Sequence, residues 1–283
     1  MDDIEATDGV LKIDVKKVLY SKNPGLKKVV PKFLISHLKR IIHQDELNEL
    51  LEKKGYLKDA EFIAASLEFL GIKYNVYGTE NIPLGTRNIF VSNHPLGGLD
   101  GLVFINELSK FYEFLKFPVN DILLNIKNLT DIFLPINKHG LQNRESVKQI
   151  DQAYASENQI LYFPAGLCSR RKNGVITDLE WQKSFINKAV QYKRDIVPAF
   201  FSGKNSSFFY TLANVRKIFG IKLNLEMLYL PDEMFKQKNK EIGLVFGEPI
   251  SWQTFDKSKS ATEWATWVRA KSYELGSVIK TDS

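Results

Sequence analysis

The sequence predicts an α/β fold: a mixed, mainly parallel central sheet flanked by helices, with an N-terminal two-helix appendage. Three observations predict it. From residue 72 onward, short apolar runs bounded by turn residues recur as buried strands do. Stretches with apolar residues spaced by three and four lie between them, so strands and helices alternate. The chain has 283 residues, 44% hydrophobic and 25% charged, which is an ordinary globular composition and enough for one such domain.

Taken in order, residues 1–22 read as a loose, polar arm. Residues 24–70 read as two helices. The first carries Leu26, Val29, Val30, Phe33, Leu34, Leu38, Ile41 and Ile42, and the second Leu57, Phe62, Ile63, Leu67, Phe69 and Leu70. Gly55 or the segment Asp45–Leu51 separates them. Lys27, Lys28, Lys32, Lys39 and Arg40 interrupt the first helix. Such a basic amphipathic helix suits either a membrane interface or a core contact with a solvated outer face. Ile72–Tyr77 predicts a strand, 81–85 a loop, and Ile89–Val91 a buried strand followed by a short helix at Leu102–Leu108. Further strands are expected at 133–136, 159–163, 195–201 and 242–246, and helices at 144–154, 185–192 and 261–279. Residues 1–71 thus form an arm and helical segment and 72–283 the α/β domain, together one structural unit.

The net charge is +6, which suits contact with phosphate-bearing surfaces, a membrane leaflet or nucleic acid, and equally a plain basic protein. The modest charge and the lack of a recognised binding motif weigh against nucleic acid. Cys168 is the only cysteine, which excludes a disulfide framework and a cysteine zinc site. The acidic start, Met1-Asp2-Asp3-Ile4-Glu5, is not expected to be a signal peptide. No run approaches the roughly 20 apolar residues that span a bilayer.

The most informative stretch is Asn93-His94-Pro95-Leu96-Gly97-Gly98-Leu99-Asp100-Gly101. It follows a buried strand and precedes a helix, the usual address of functional groups in α/β proteins. An imidazole paired with a carboxylate six positions on is a general base with a fixed tautomer. Pro95 and the Gly97-Gly98 pair permit the tight path that returns Asp100 to His94, and Asn93 adds a polar group at the same strand end.

His94 to Asp100 resembles the His-x₄-Asp signature of the glycerolipid acyltransferases of the lysophosphatidate type, with one residue more between the pair. The wider form, His-Pro-Leu-Gly-Gly-Leu-Asp-Gly, is similar to the hemolysin-related bacterial lipid acyltransferases, whose relatives include enzymes that acylate lyso-aminolipids. Three further blocks follow in the family's order. Ile136-Asn137-Lys138 resembles the second, with Lys138 where the family has an arginine facing the acceptor phosphate. Phe163-Pro164-Ala165-Gly166-Leu167-Cys168-Ser169-Arg170-Arg171 resembles the third, with Ala165 in place of its glutamate and Cys168 in place of its first arginine. Ile196-Val197-Pro198 resembles the fourth.

The resemblance implies an O-acyltransferase that moves a fatty acyl group from acyl carrier protein or coenzyme A to the hydroxyl of a lyso-lipid. It implies His94 and Asp100 as the catalytic pair. Asn93, Gly97, Gly98, Asn137, Lys138, Gly166, Ser169, Arg170 and Arg171 would contact substrate, with Lys138 and Arg170 facing the cleft. Backbone N–H groups near Gly97, Gly98 or Gly166 would hold the oxyanion. No cofactor and no metal is expected. The resemblance further implies a peripheral seat on the cytoplasmic face of the membrane, with the N-terminal helices docking there and acyl carrier protein as a partner. The missing glutamate points to an acceptor other than lysophosphatidate, either a lysophospholipid or a monoacyl amino-acid lipid. A non-catalytic lipid- or carrier-binding protein on the same fold, or a lipid esterase, stays open at this stage, although the esterase lacks a Gly-x-Ser-x-Gly elbow.

Overall fold

The apolar runs become strands because helices cover both of their faces. The computed structural model of the protein describes residues 5–7, 10–22, 25, 30–119, 124, 126–136 and 144–280. A central sheet has the order β3 (Lys73–Tyr77), β11 (Glu241–Phe246), β10 (Asp195–Phe201), β4 (Asn88–Ser92), β7 (Gln159–Tyr162), β5 (Leu115–Val119), β6 (Phe133–Pro135). Every neighbouring pair in it is parallel except β10 with β11. This is the mixed, mainly parallel sheet that the sequence predicts.

Side chains alternate between the two faces, as the twofold period of a strand requires. Ile89 and Val91 of β4 join one core, with Ile160 and Ile196. It is closed by α6 (Arg144–Ala155), α7 (Ser184–Tyr192) and α10 (Ala261–Glu274) through Ala153, Phe185 and Trp264. Phe90 points the other way, into a core with Leu161, Val197 and Phe201. That face is closed by α5 (Gly98–Leu108) and α4 (Asp59–Leu70).

The segment expected to hold two helices holds three among the described residues: α2 (Lys32–Ile42), α3 (Gln44–Lys54) and α4. The first break falls at His43, which takes the left-handed conformation (φ 56°) without a glycine. Its ring compensates by stacking on Phe235 at 4.0 Å and by bonding Asp232 at 3.1 Å. The second lies between Gly55 and Lys58. Helix α4 is built into the core through Phe62, Ile63, Leu67 and Leu70. Each such side chain contributes about 1.5–3 kcal/mol, so α4 is part of what holds the sheet together.

The arm also departs from expectation. Its described residues form a paired β1 (Glu5–Thr7) and β2 (Val10–Lys12), then α1 (Val15–Lys22). Side chains of α3 anchor it: Asn48 accepts from the Ile13 N–H, and Gln44 from that of Val15. The closing helix is broken after α10 and resumes as α11 (Gly276–Lys280). Between β10 and β11 the chain makes an excursion through α8 (Ser207–Ile218), a 3₁₀ turn (Leu225–Tyr229) and α9 (Leu230–Phe235). A small hairpin, β8 (Arg170–Lys172) with β9 (Val175–Thr177), follows β7.

Candidate active site

Strands β10, β4 and β7 run parallel, so their carboxyl ends share one edge. The helix after β4 packs on one face of the sheet and the helix after β7 on the other. The crevice between these two strand ends is therefore a topological switch point, where ligands bind in open α/β sheets. His94 follows β4 and Phe163 follows β7, and their rings stack across the crevice at 4.1 Å.

His94 Nδ1 lies 3.0 Å from Asp100 Oδ2. The same oxygen accepts from the backbone N–H of Leu96 (2.8 Å) and Gly97 (3.1 Å). Asp100 thus reaches back from the first turn of α5 and holds the loop as well as the ring. Between His94 and Asp100 the chain turns at Gly97, whose φ of 79° is a conformation that favours glycine. A Cβ on Gly97 would also stand 2.9 Å from Leu230 Cδ2, on the excursion. Gly97→Ala is expected to cost about 1–3 kcal/mol in chemical denaturation and to lower activity by displacing the loop. Gly98→Ala, with nothing within 4 Å of the added Cβ, is the control and is expected to keep its stability.

Burial separates the working atoms from the scaffold. From Asn88 to Gly101 every residue is buried except His94 and Gly98. Asp100 is enclosed, and burial pushes its carboxyl above the usual carboxylate range against the hydrogen bond and charge of His94. Asp100 Oδ1 has no partner among the described residues, so the carboxylate's anchoring runs through Oδ2. With Nδ1–H directed to Asp100, His94 Nε2 is left as the acceptor of the neutral ring.

Asn93 is a clamp rather than a substrate contact. It is buried, donates to the Phe201 carbonyl at 2.8 Å and accepts from the Phe201 N–H at 2.7 Å. It thereby ties the end of β4 to the end of β10. The Gly97 N–H is committed to Asp100, and the Gly166 N–H bonds the Phe163 carbonyl at 2.9 Å. Of the three glycines offered as oxyanion donors, Gly98 keeps an N–H with no hydrogen bond among the described residues, at the first position of α5.

A profile of a family described as acyltransferase matches residues 17–281. The chain belongs to this acyltransferase family.

Two relatives bear the name lyso-glycine lipid O-acyltransferase. The one from Bacteroides thetaiotaomicron is 49% identical over 269 residues, 95% of this chain and 99% of the relative. The one from Phocaeicola vulgatus is 46% identical over 269 residues, 95% of this chain and 96% of the relative. Among solved structures, a 1-acyl-sn-glycerophosphate acyltransferase from Thermotoga maritima aligns with a TM-score of 0.46 at 16% identity, over 91% of this chain and 89% of that one.

The remaining residues of the acyltransferase that the sequence singles out fall into three groups. Asn137 and Lys138 lie outside the described residues. Arg171 bonds Thr211 of α8 at 3.0 Å and rests over the Tyr210 ring. Arg170, expected to face the cleft, is instead buried and bound to Glu226 of the 3₁₀ turn at 2.9 Å. A guanidinium committed to a fully buried carboxylate is not available to a head group. Arg216 engages the other Glu226 oxygen. Burial works against the Glu226 charge, and the two arginines outweigh it, holding the carboxyl below the usual range.

Ser169 is likewise a structural link. Its N–H bonds the His94 carbonyl at 2.7 Å, and its hydroxyl donates to Asp178 Oδ1 at 2.6 Å. Asp178, which the sequence reading missed, also accepts from the His94 backbone N–H (3.2 Å) and from Trp181 Nε1 (2.9 Å). One buried carboxylate therefore fastens the histidine loop to the loop after β7. No spacing signal marks Asp178, because the link is made by tertiary contact 84 residues away. Cys168 is buried, which pushes its thiol up, so it is a poor nucleophile.

Proposed function

We propose that the acyltransferase moves a fatty acyl group from an acyl thioester to the hydroxyl of a lyso-lipid, with His94 as general base oriented by Asp100. The observation that carries this reading is the exposure pattern of the loop: His94 and Gly98 alone reach solvent from an otherwise sealed segment. The relatives' shared name, lyso-glycine lipid O-acyltransferase, makes a monoacylated glycine lipid the first acceptor to test and an ester the product. Ala165, where glycerolipid enzymes resembling this chain carry a glutamate, supports an acceptor other than lysophosphatidate.

His94 Nε2 takes the proton of the acceptor hydroxyl as its oxygen attacks the thioester carbonyl. The imidazolium that forms is stabilised by the Asp100 carboxylate. The Gly98 N–H, at a helix N-terminus, faces the charge that develops on the carbonyl oxygen. The tetrahedral intermediate collapses: the C–S bond breaks, the C–O bond remains, and the departing thiolate takes the proton from His94. Free thiol and esterified lipid leave, and the ring is neutral again. Acyl carrier protein, which is acidic, suits the chain's net charge of +6 as donor. Lys138 is the cation proposed for the head-group carboxylate or the donor phosphate.

The mechanism uses no covalent enzyme intermediate. The two candidate nucleophiles near His94 support that choice: Ser169 is buried and already donates to Asp178, and Cys168 is held as a buried thiol. The test is reconstitution of purified protein with lyso-glycine lipid and either acyl carrier protein or coenzyme A thioesters. The expected result is diacylated lipid with one equivalent of free thiol. Release of free fatty acid at the same rate with and without acceptor would show a hydrolase instead.

A further inference from the structure

The excursion between β10 and β11 presents apolar side chains to solvent in a way its packing does not require. Seven consecutive residues, Lys217–Leu223, are all exposed. Ile218 is 81% exposed, Phe219 75% and Leu223 69%, with Ile221 beside them. Lys217 precedes these four apolar residues and Lys222 stands between Ile221 and Leu223. Scattered single apolar residues on a surface are ordinary, whereas a contiguous apolar turn marks an interaction site.

The turn is also rigidly held. Gly220 takes a φ of 68° at the end of α8, and the Ile221 N–H bonds the Arg216 carbonyl at 2.9 Å while the Gly220 N–H bonds that of Lys217 at 3.0 Å. This is a Schellman closure, and its apolar residue, Ile221, is left exposed. Beneath it the buried Arg216 bonds the Ile221 carbonyl, Asn224 and Glu226. The same excursion covers the histidine loop: Leu230 packs against Gly97, and Asn205 donates to the Pro95 carbonyl. The flanking helix α2 bonds the 3₁₀ turn through His37 and Tyr229, and carries the exposed Phe33 next to Lys32.

We propose that the turn Lys217–Leu223 is a membrane-seating surface, its apolar side chains entering the head-group region of an anionic leaflet and its lysines meeting lipid phosphates. The proposal deepens the lyso-lipid reading above and rests on it for its purpose: seating at this turn sets the excursion that covers the His94 loop against the bilayer. Two observations select a bilayer over a protein partner. Lys217 flanks the exposed apolar residues and Lys222 stands between Ile221 and Leu223, and the net charge is positive, a pairing of apolar tips with cations that suits the interface of an anionic leaflet.

The test compares wild type with the triple variant Ile218→Asp/Phe219→Asp/Leu223→Asp on vesicles of phosphatidylcholine containing phosphatidylglycerol. Co-sedimentation is expected to fall about tenfold or more, and transfer to acceptor presented in those vesicles is expected to fall with it. Transfer to acceptor dispersed in detergent is expected to stay at the wild-type rate, and the melting temperature to be unchanged. Lys217→Glu/Lys222→Glu should weaken binding to anionic vesicles and leave no difference on pure phosphatidylcholine. Undiminished sedimentation of the triple variant overturns the proposal, as does loss of binding in Phe33→Asp alone. A wild-type dimer that the triple variant dissociates, with no vesicle binding by either, would assign the turn to a second copy and overturn it as well. Sedimentation is read without turnover, so failure of the acyl-transfer reading leaves a distinct signature: vesicle binding that depends on the turn, with no product in either presentation.

Discussion

Replacing His94 by alanine is expected to lower kcat/KM for acyl transfer by about 10²- to 10⁴-fold, the range a positioned general base contributes. The fold should survive, because the ring is partly exposed and stacks on Phe163 at one side. Donor binding should be retained, since the base acts on the acceptor hydroxyl. Steady-state kinetics with equilibrium binding of a non-hydrolysable donor analogue separates the two quantities. Turnover within tenfold of wild type would remove His94 from the mechanism.

Asp100→Asn is the second large effect, and it is expected to act in opposite directions on activity and stability. The amide is isosteric and can still accept from the Leu96 and Gly97 N–H groups, so the loop keeps its path. It cannot stabilise an imidazolium, and kcat should fall by about 10²- to 10⁴-fold. Stability follows from the raised carboxyl pKa of Asp100 in the fold. A group raised on folding contributes its full stabilisation below its unfolded pKa and loses it as pH rises through the folded one. The wild type therefore carries a cost at neutral pH that the variant lacks. The melting temperature of Asp100→Asn should exceed that of wild type near neutrality, and the gap should close as pH is lowered toward the carboxylate range. A gap that widens on acidification would show a carboxylate stabilised by its partners instead.

How legible this architecture was depends on where each piece draws its stability. Strands β4, β10 and β11 were readable because both faces are buried, so sequence and environment carry the same apolar run. Strand β5 was not read: Lys116 and Pro118 interrupt it, and its alternation of Leu115, Phe117 and Val119 makes sense only once β6 and β7 flank it. The left-handed break at His43 was hidden because its stabilisation comes from Asp232 and Phe235, far along the chain. In the site, His94 and Asp100 were readable because six residues of local chain hold both. The roles of Arg170 and Asp178 were not, since each is decided by a partner on another element. A pair of adjacent arginines after a strand looks like a cationic rim in sequence. Only the fold shows that Glu226 has drawn one of them inside.

The single antiparallel pairing in the central sheet has a consequence for how such enzymes diversify. Because β11 runs against β10, it begins at the same edge of the sheet where β10 ends. Everything in residues 202–240 therefore leaves and re-enters at the edge that bears His94. An inserted or shortened stretch there alters no strand register, provided that it keeps the contacts of Leu230 with Gly97 and of Asn205 with the Pro95 carbonyl that cover the histidine loop. A parallel return would have forced the chain to cross the whole sheet first. The cover of this site is thus joined to the sheet at one edge only, so its length can vary without any strand changing partners.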